Sequence, residues 1–324
     1  MALRATAVNA LPSSPTPLEL PEFSAQTRLL VIAPHPDDET IATGLLIQRV
    51  RAAGGEVKIL LLTAGDNNPW PQRWLERRVC IGAAERARWG QRRHAELEQA
   101  LRRLDVPSQS LQKLGWPDMG VTDVLLQTGR QAIATLSAAI GTFRPSIIAM
   151  PSIDDRHPDH GAAHVLMRLA LAEQNGAPMQ LAYLIHGHAT HDRFVEVAGT
   201  AAQSINKREA LTAHHSQMAL SGRRMHRLAG RSERYSEVPS TRQASATALP
   251  WQPPTWLQPR LRLSVADRSE TQVWRWSQAP LQRDSDGTYH LALSAKNREG
   301  LRFAKLTCDL PSLWIFDYWG WCEL

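Results

Sequence analysis

Short apolar strands alternate with helices along the first two thirds of this sequence, and few architectures accept that order. Arg28-Leu-Leu-Val-Ile-Ala33 is an apolar run of the length buried on both faces of a parallel sheet. A helix over Thr40 to Ala53, closed by Gly54-Gly55, follows it, and then a second buried strand over Val57 to Thr63. The pattern repeats as a long charged helix (Ala84 to Leu104), a weaker strand (Leu111 to Leu114), a helix (Asp123 to Ile140) and a strand (Ser146 to Met150). An apolar helix reaching Glu173 and a last strand near Gln180 to Ile185 complete it. The expectation is an α/β fold with a Rossmann-like, mostly parallel sheet and helices on both faces. Function in such sheets gathers in the loops at the carboxyl ends of the strands.

The rest of the chain reads differently. After a helix over Asn206 to Leu220, the stretch Thr241 to Pro254 lacks periodicity and ends in Pro250, Pro253 and Pro254, as a linker does. Beyond it Leu261 to Val265, Gln272 to Trp276, Tyr289 to Leu293 and Leu301 to Thr307 alternate like strands of a small antiparallel unit. The expected division is an irregular segment 1–26, a catalytic domain 27–240, a linker 241–256 and a β-rich C-terminal module 257–324. On that division a cut near Pro250 leaves the catalytic unit intact. Seven of the 11 tryptophans lie from Trp251 onward, and a small β unit needs such side chains for a core, which favours their burial over stacking on glycan. Trp314 to Trp321 is too apolar to stand in water unpaired and is expected to pack inside or against a partner.

At 324 residues the chain suits one sizeable core plus a small second unit. Its formal charge of +6 comes with no nucleic-acid-binding motif, and its arginines are scattered, so a solvated basic surface is expected, with an anionic substrate as the alternative. Cys80, Cys308 and Cys322 are too far apart in sequence for a disulfide framework or a cysteine zinc site. With neither a membrane-length apolar run nor an export signal, a cytoplasmic protein is the default reading. The oligomeric state is left open.

Two clusters carry chemistry. His35-Pro-Asp-Asp-Glu39 sets one imidazole and three carboxylates directly after the first strand, and His157-Pro-Asp-His160 adds two imidazoles and a carboxylate after another. Crowded carboxylates repel unless a cation or proton sits among them, so a divalent metal is the natural guest. Two imidazoles and one carboxylate leave zinc an open position for water, as catalytic zinc requires. The competing reading, aspartates that cap helices, fits either cluster alone far better than both together.

The sequence resembles the zinc-dependent deacetylases grouped with PIG-L, LmbE and the mycothiol and bacillithiol pathway enzymes. The resemblance rests on Ala33-Pro-His-Pro-Asp-Asp-Glu39, on Asp155-Arg-His-Pro-Asp-His160 and on Lys207 to Gln217, and covers about Arg28 to Leu220. It implies zinc held by His35, Asp38 and His160, and Asp37 as general base. It implies that His157 stabilises the oxyanion or serves as general acid, with Asp159 tuning it. Arg93, on a helix similar to the family's substrate-contacting one, is expected to grip substrate, and Asp118 in Leu114-Gly-Trp-Pro-Asp118 to hold sugar hydroxyls. Some relatives carry a tyrosine where this chain has Asp155. The implied activity is hydrolysis of an N-acetyl group from an N-acetylglucosamine-type conjugate, the alternatives being another N-acyl substrate or a glycan-binding protein with a degenerate site. His186 and His188 could line the cleft, though loop histidines are more often surface residues, and His214 and His215 either contact substrate or pack at the edge of the site; His164 has ligand-like spacing from His160 but no implied role.

Overall fold

The computed structural model describes residues 19–172, 178–187, 194–238, 248–292, 300–310 and 315–324. In chain order the first part comprises β1 (Arg28–Ala33), α1 (Asp38–Ala52), β2 (Glu56–Thr63), α2 (Pro69–Glu76), α3 (Ala83–Arg103), β3 (Leu111–Trp116), α4 (Val121–Phe143), β4 (Ile147–Pro151) and α5 (Pro158–Leu171). β5 (Met179–Tyr183), β6 (Val195–Val197), α6 (Ala201–Thr212), α7 (His215–Ala229) and β7 (Glu233–Glu237) follow.

The main sheet has seven strands in the order β3-β2-β1-β4-β5-β7-β6. Its first five are parallel, and β7 pairs antiparallel with both β5 and β6. The alternation within β1 shows why the run is apolar throughout. Leu29, Val31 and Ala33 face a core built with α1, α3, α6 and α7, while Leu30 and Ile32 face a second core built with α4 and α5. Both metal-type clusters follow strands adjacent in the sheet, β1 and β4, at the point where the strand order reverses and a crevice opens between the loops.

Three local expectations are corrected. The helix over Asn206 to Leu220 is two helices, broken at His214, whose ψ of 56° is not helical. The Glu96 carboxylate on α3 accepts the backbone N–H of Ser216 at 3.0 Å and its hydroxyl at 2.6 Å, so an anion from another element starts α7. Strand β5 is not the last of the sheet, because β7 and β6 extend it; both are short and polar enough to hide from a pattern reading. Helix α2 also escaped, because its Pro-Trp-Pro start resembles a turn; Asn68 accepts the Trp70 N–H and caps it.

The C-terminal part comprises β8 (Leu261–Ala266), β9 (Thr271–Arg275), β10 (Leu281–Arg283), β11 (Tyr289–Leu291), β12 (Phe303–Cys308) and β13 (Trp321–Glu323). Antiparallel strands in the order β13-β12-β8-β9 form one sheet, and β10-β11 form a separate pair. One side of this unit closes its own core around Leu263, Trp276 and Leu306, into which Leu249 and Trp251 of the expected linker also pack. The other side sends Ala266, Phe303 and Trp321 into the core of α4 and α5. Among the later tryptophans, Trp251, Trp276 and Trp321 are buried and Trp256 is exposed, while Trp314 lies outside the described residues. No described helix is long and apolar enough to cross a membrane.

Candidate metal centre

The turn from β1 into α1 aims the first cluster. His35 donates its backbone N–H to Asp38 Oδ2 at 2.8 Å, which folds the Asp38 side chain back over the turn. Asp37 adopts φ 120°, a region sparsely populated by residues other than glycine, and strain of this kind collects at functional sites. Its own N–H is held by Glu39 Oε2 at 3.0 Å.

Around Asp38 Oδ2 the two clusters meet. His35 Nδ1 lies 3.3 Å from it and His160 Nε2 lies 3.2 Å from it. Two ligands of one tetrahedral zinc, at about 2.0–2.2 Å from the ion, stand about 3.4 Å apart, so the spacing suits a shared cation. The buried Nε2 of His160 has no aligned hydrogen-bond partner despite its approach to Asp38, as expected for a lone pair directed at an ion and not at the carboxylate. His157 joins His35 and His160 in one group of possible ligands, and His186 joins Asp38 and His160 in another.

Each of the two imidazoles turns its other nitrogen to a carboxylate. His35 Nε2 lies 3.2 Å from Asp118 Oδ1 and 3.3 Å from Asp159 Oδ2, and His160 Nδ1 lies 3.1 Å from Asp155 Oδ2. Such backing fixes the ring orientation and raises the basicity of the ligating nitrogen. Although burial opposes it, the Asp155 and Asp38 carboxylates lift the His160 imidazole to about 10.

The carboxylate of Asp159 therefore serves His35 and not His157. Sitting at the start of α5, it also accepts the backbone N–H groups of Met119 and Val121 at 2.8 and 3.0 Å, which ties it to the beginning of α4. What reaches His157 is the Asp159 backbone N–H, 3.3 Å from Nδ1. That contact puts the proton of the neutral ring on Nε2. Burial, followed by the surrounding charge of His35, His160 and His186, pushes His157 well below the usual imidazole range.

Arg93 has a different task from the expected grip on substrate. Its buried guanidinium donates to Gly65 O at 2.5 Å and Pro36 O at 2.6 Å, and Nη2 lies 3.3 Å from Asp37 Oδ2. The arginine thus clamps the turn and orients Asp37. A side chain at Gly65, where φ is +62°, would place Cβ 1.9 Å from Arg93 Nη1. Gly65→Ala is accordingly expected to cost about 1–3 kcal/mol in thermal unfolding through backbone strain and to misplace Asp37. An unchanged melt and turnover would show that the clamp is dispensable.

Asp118, also expected at the substrate, has a buried side chain whose Oδ2 accepts the Asn67 N–H at 2.6 Å. Burial would raise its pKa, but His35 and Asn67 hold the carboxyl down to about 2. Beneath Asp37, Glu39 Oε1 lies 3.4 Å from His214 Nε2. Burial works against a charged His214, yet Glu39 and then Asp37 raise its pKa above the ordinary range.

Sequence reasoning had no means to pair Glu39 with His214, 175 positions apart, or to assign Asp155 its place behind His160. It also missed Phe316, whose ring comes within 5.2 Å of His186 and 6.2 Å of His157 from the far end of the chain. His164 is a core residue, its Nδ1 2.9 Å from Pro151 O. His188 lies outside the described residues.

Residues 30–171 match the family model described as PIG-L, GlcNAc-PI de-N-acetylase. Over 159 residues the chain is 31% identical to a 1D-myo-inositol 2-acetamido-2-deoxy-alpha-D-glucopyranoside deacetylase of Mycobacteroides abscessus, covering 44% of this chain and 55% of the relative. A protein of the same description from Nocardia farcinica is 33% identical over 150 residues, covering 42% and 49%. The chain spans about half the length of the curated relatives it matches. Among solved structures, N,N'-diacetylchitobiose deacetylase from Pyrococcus horikoshii is similar at a TM-score of 0.53 and 18% identity, over 66% of this chain and 84% of that one. Teicoplanin deacetylase, in its zinc-inhibited form, reaches 0.50 at 16% identity, over 66% and 100%. At these identities the two structures show the fold that they share with this chain.

Proposed function

From the match of residues 30–171 to the PIG-L family model we propose that this chain is a zinc-dependent amide hydrolase that removes an N-acetyl group from an N-acetylglucosamine-type amino-sugar conjugate. The observation that carries the reading is the convergence of His35 Nδ1 and His160 Nε2 on Asp38 Oδ2, with the Asp37 carboxylate next along the chain and left 13% exposed. The names of the curated relatives, which are deacetylases of an acetamido sugar, support the substrate class.

His35, Asp38 and His160 would hold the zinc, a set with the right donors for that ion and an open position. When bound, zinc supplies Lewis acidity toward the amide carbonyl and makes a water molecule easier to deprotonate. The remaining steps belong to the chain. Asp37 takes the proton of the attacking water; its carboxyl sits at about 6, raised chiefly by burial and by Asp38 and Glu39, against the pull of Arg93. A group poised there can accept that proton and return it to the departing amine. His157, neutral and with its proton on Nε2, donates to the oxygen as negative charge develops on it. This favours oxyanion stabilisation over general acid catalysis for His157.

Purified protein is expected to carry about one zinc per chain and to release acetate and free amine from N-acetylated amino sugars. His35→Ala and His160→Ala should each lose the metal, because removing one of three protein ligands leaves too few to retain it. Elemental analysis of both variants and a free-amine assay on the parent check this. Stoichiometric zinc in both variants would remove the ligand assignment; a zinc-loaded parent inert toward amino sugars but active on another N-acyl amine would remove only the substrate.

A further inference from the structure

His186 follows β5 and stands beside the metal-type cluster, and none of the steps above uses it. Its ring centroid lies 5.0 Å from that of His160 and 5.3 Å from that of His157. A nitrogen of its ring lies within 4.8 Å of ligating atoms of both Asp38 and His160. The backbone holds it there, since the N–H groups of Ile185 and His186 both donate to Asp155 Oδ2, at 3.0 and 3.1 Å. The same oxygen backs His160, so the loop and the ligand share one anchor.

The ring's chemistry is set from the other side. Arg224 on α7 brings Nη2 to 2.9 Å from His186 Nδ1. A guanidinium can only donate, so Nδ1 must accept and the ring proton must sit on Nε2. Among the described residues the side-chain hydrogen bond of His186 is the one that Nδ1 accepts from Arg224, which leaves Nε2–H to the side of the ring away from Arg224. Half-buried, fixed by its backbone and by Arg224, and adjacent to His157, the ring offers this N–H as a donor.

We propose that His186 is a second hydrogen-bond donor, beside His157, to the carbonyl oxygen of the scissile amide, and that Arg224 sets the tautomer that allows it. The proposal rests on the hydrolase reading above. Two N–H groups aimed at one developing oxyanion stabilise it before the reaction begins and need no reorganisation during it. An acceptor that gains charge in the transition state gains most from such donors, so the effect belongs in kcat and not in KM.

The test uses the zinc-loaded full chain, an N-acetylated amino sugar and free-amine detection. His186→Ala is expected to lower kcat about 100-fold with KM within about twofold and zinc retained, the loss found when one oxyanion donor is removed. His186→Gln, whose amide N–H reaches toward the place of Nε2, should recover at least about tenfold of that loss. Arg224→Met should cost less than His186→Ala, since the ring is then free to share its proton between the two nitrogens. Nitrogen-15 shifts of the His186 ring, read with or without zinc, should show protonation at Nε2 in the parent and a mixture in Arg224→Met. Three results overturn the role: His186→Ala within about threefold of the parent, His186→Ala that loses its zinc, or a parent ring protonated at Nδ1. A parent without turnover on any N-acyl amine overturns the hydrolase reading itself, and is told apart because the parent fails before any variant is compared.

Discussion

Asp37→Asn is expected to lower kcat by roughly 10²–10⁴-fold while fold and zinc content stay as in the parent. The amide fills the space of the carboxylate and can still accept from Arg93 Nη2, and asparagine, of the same shape, meets the φ of 120° at this position as aspartate does. What it cannot do is take a proton from water. The pH profile adds a second reading of the same residue. A base must be ionised, so kcat/KM is present above the Asp37 pKa and falls as the pH drops through it. Burial places that group at about 6, and a bound cation can only draw it lower, so the acid limb should lie at or below about pH 6. In Asp37→Asn this limb should vanish from whatever activity remains. The opposite metal phenotype, an empty site in Asp37→Asn and a full one in Asp38→Asn, would exchange the roles of the two aspartates.

The sequence made the architecture legible because strands buried on both faces have no polar positions to blur them, and β1, β2 and β4 are such strands. The elements that escaped are those with little apolar length. β6 has three residues, and the ends of α6 and α7 are decided by Glu96 from a distant helix. The same division runs through the site. Motif residues close in sequence showed that a metal centre is plausible, since His35 and Asp38 share a turn and His157 and His160 share another. Which carboxylate backs which imidazole was not readable, because it depends on how two loops face each other across the switch point. Asp159 illustrates this: two residues after His157, it looks like that ring's partner, but its side chain points across the crevice to His35. Arg93 was expected at the substrate because its helix is similar to the family's substrate-contacting one. Its burial follows from Gly65, which leaves room for a guanidinium where any other residue would fill it.

Ending the chain at Pro250 is expected to abolish cooperative folding, the reverse of what the proline-rich linker suggested. Cutting there removes Phe303 and Trp321, both buried in the core that α4 and α5 form with β1 and β4. Trp321 lies against Gly161, directly after His160, with its ring 3.0 Å from where a Cβ would stand. Removing a buried Phe or Trp side chain costs about 3–5 kcal/mol, so losing two approaches the 5–15 kcal/mol by which a typical domain is stable. Arg168 on α5 loses Glu323, its partner at 3.1 Å with both side chains largely buried. The rim of the site changes as well, because Phe316 no longer stands against His157 and His186, and Asp317 no longer donates its N–H to Arg156 O, a bond of 2.8 Å. Expression of residues 1–250, followed by size-exclusion chromatography, thermal melting and zinc analysis, should give insoluble or non-cooperative material with no retained metal. Phe303→Ala in the full chain isolates the packing contribution and should lower stability by about 3–5 kcal/mol with the site still able to bind zinc. A soluble 1–250 fragment that melts cooperatively and holds its zinc would show that α4 and α5 close their core without the C-terminal sheet, and would restore Pro250 to Pro254 as a boundary between independent units.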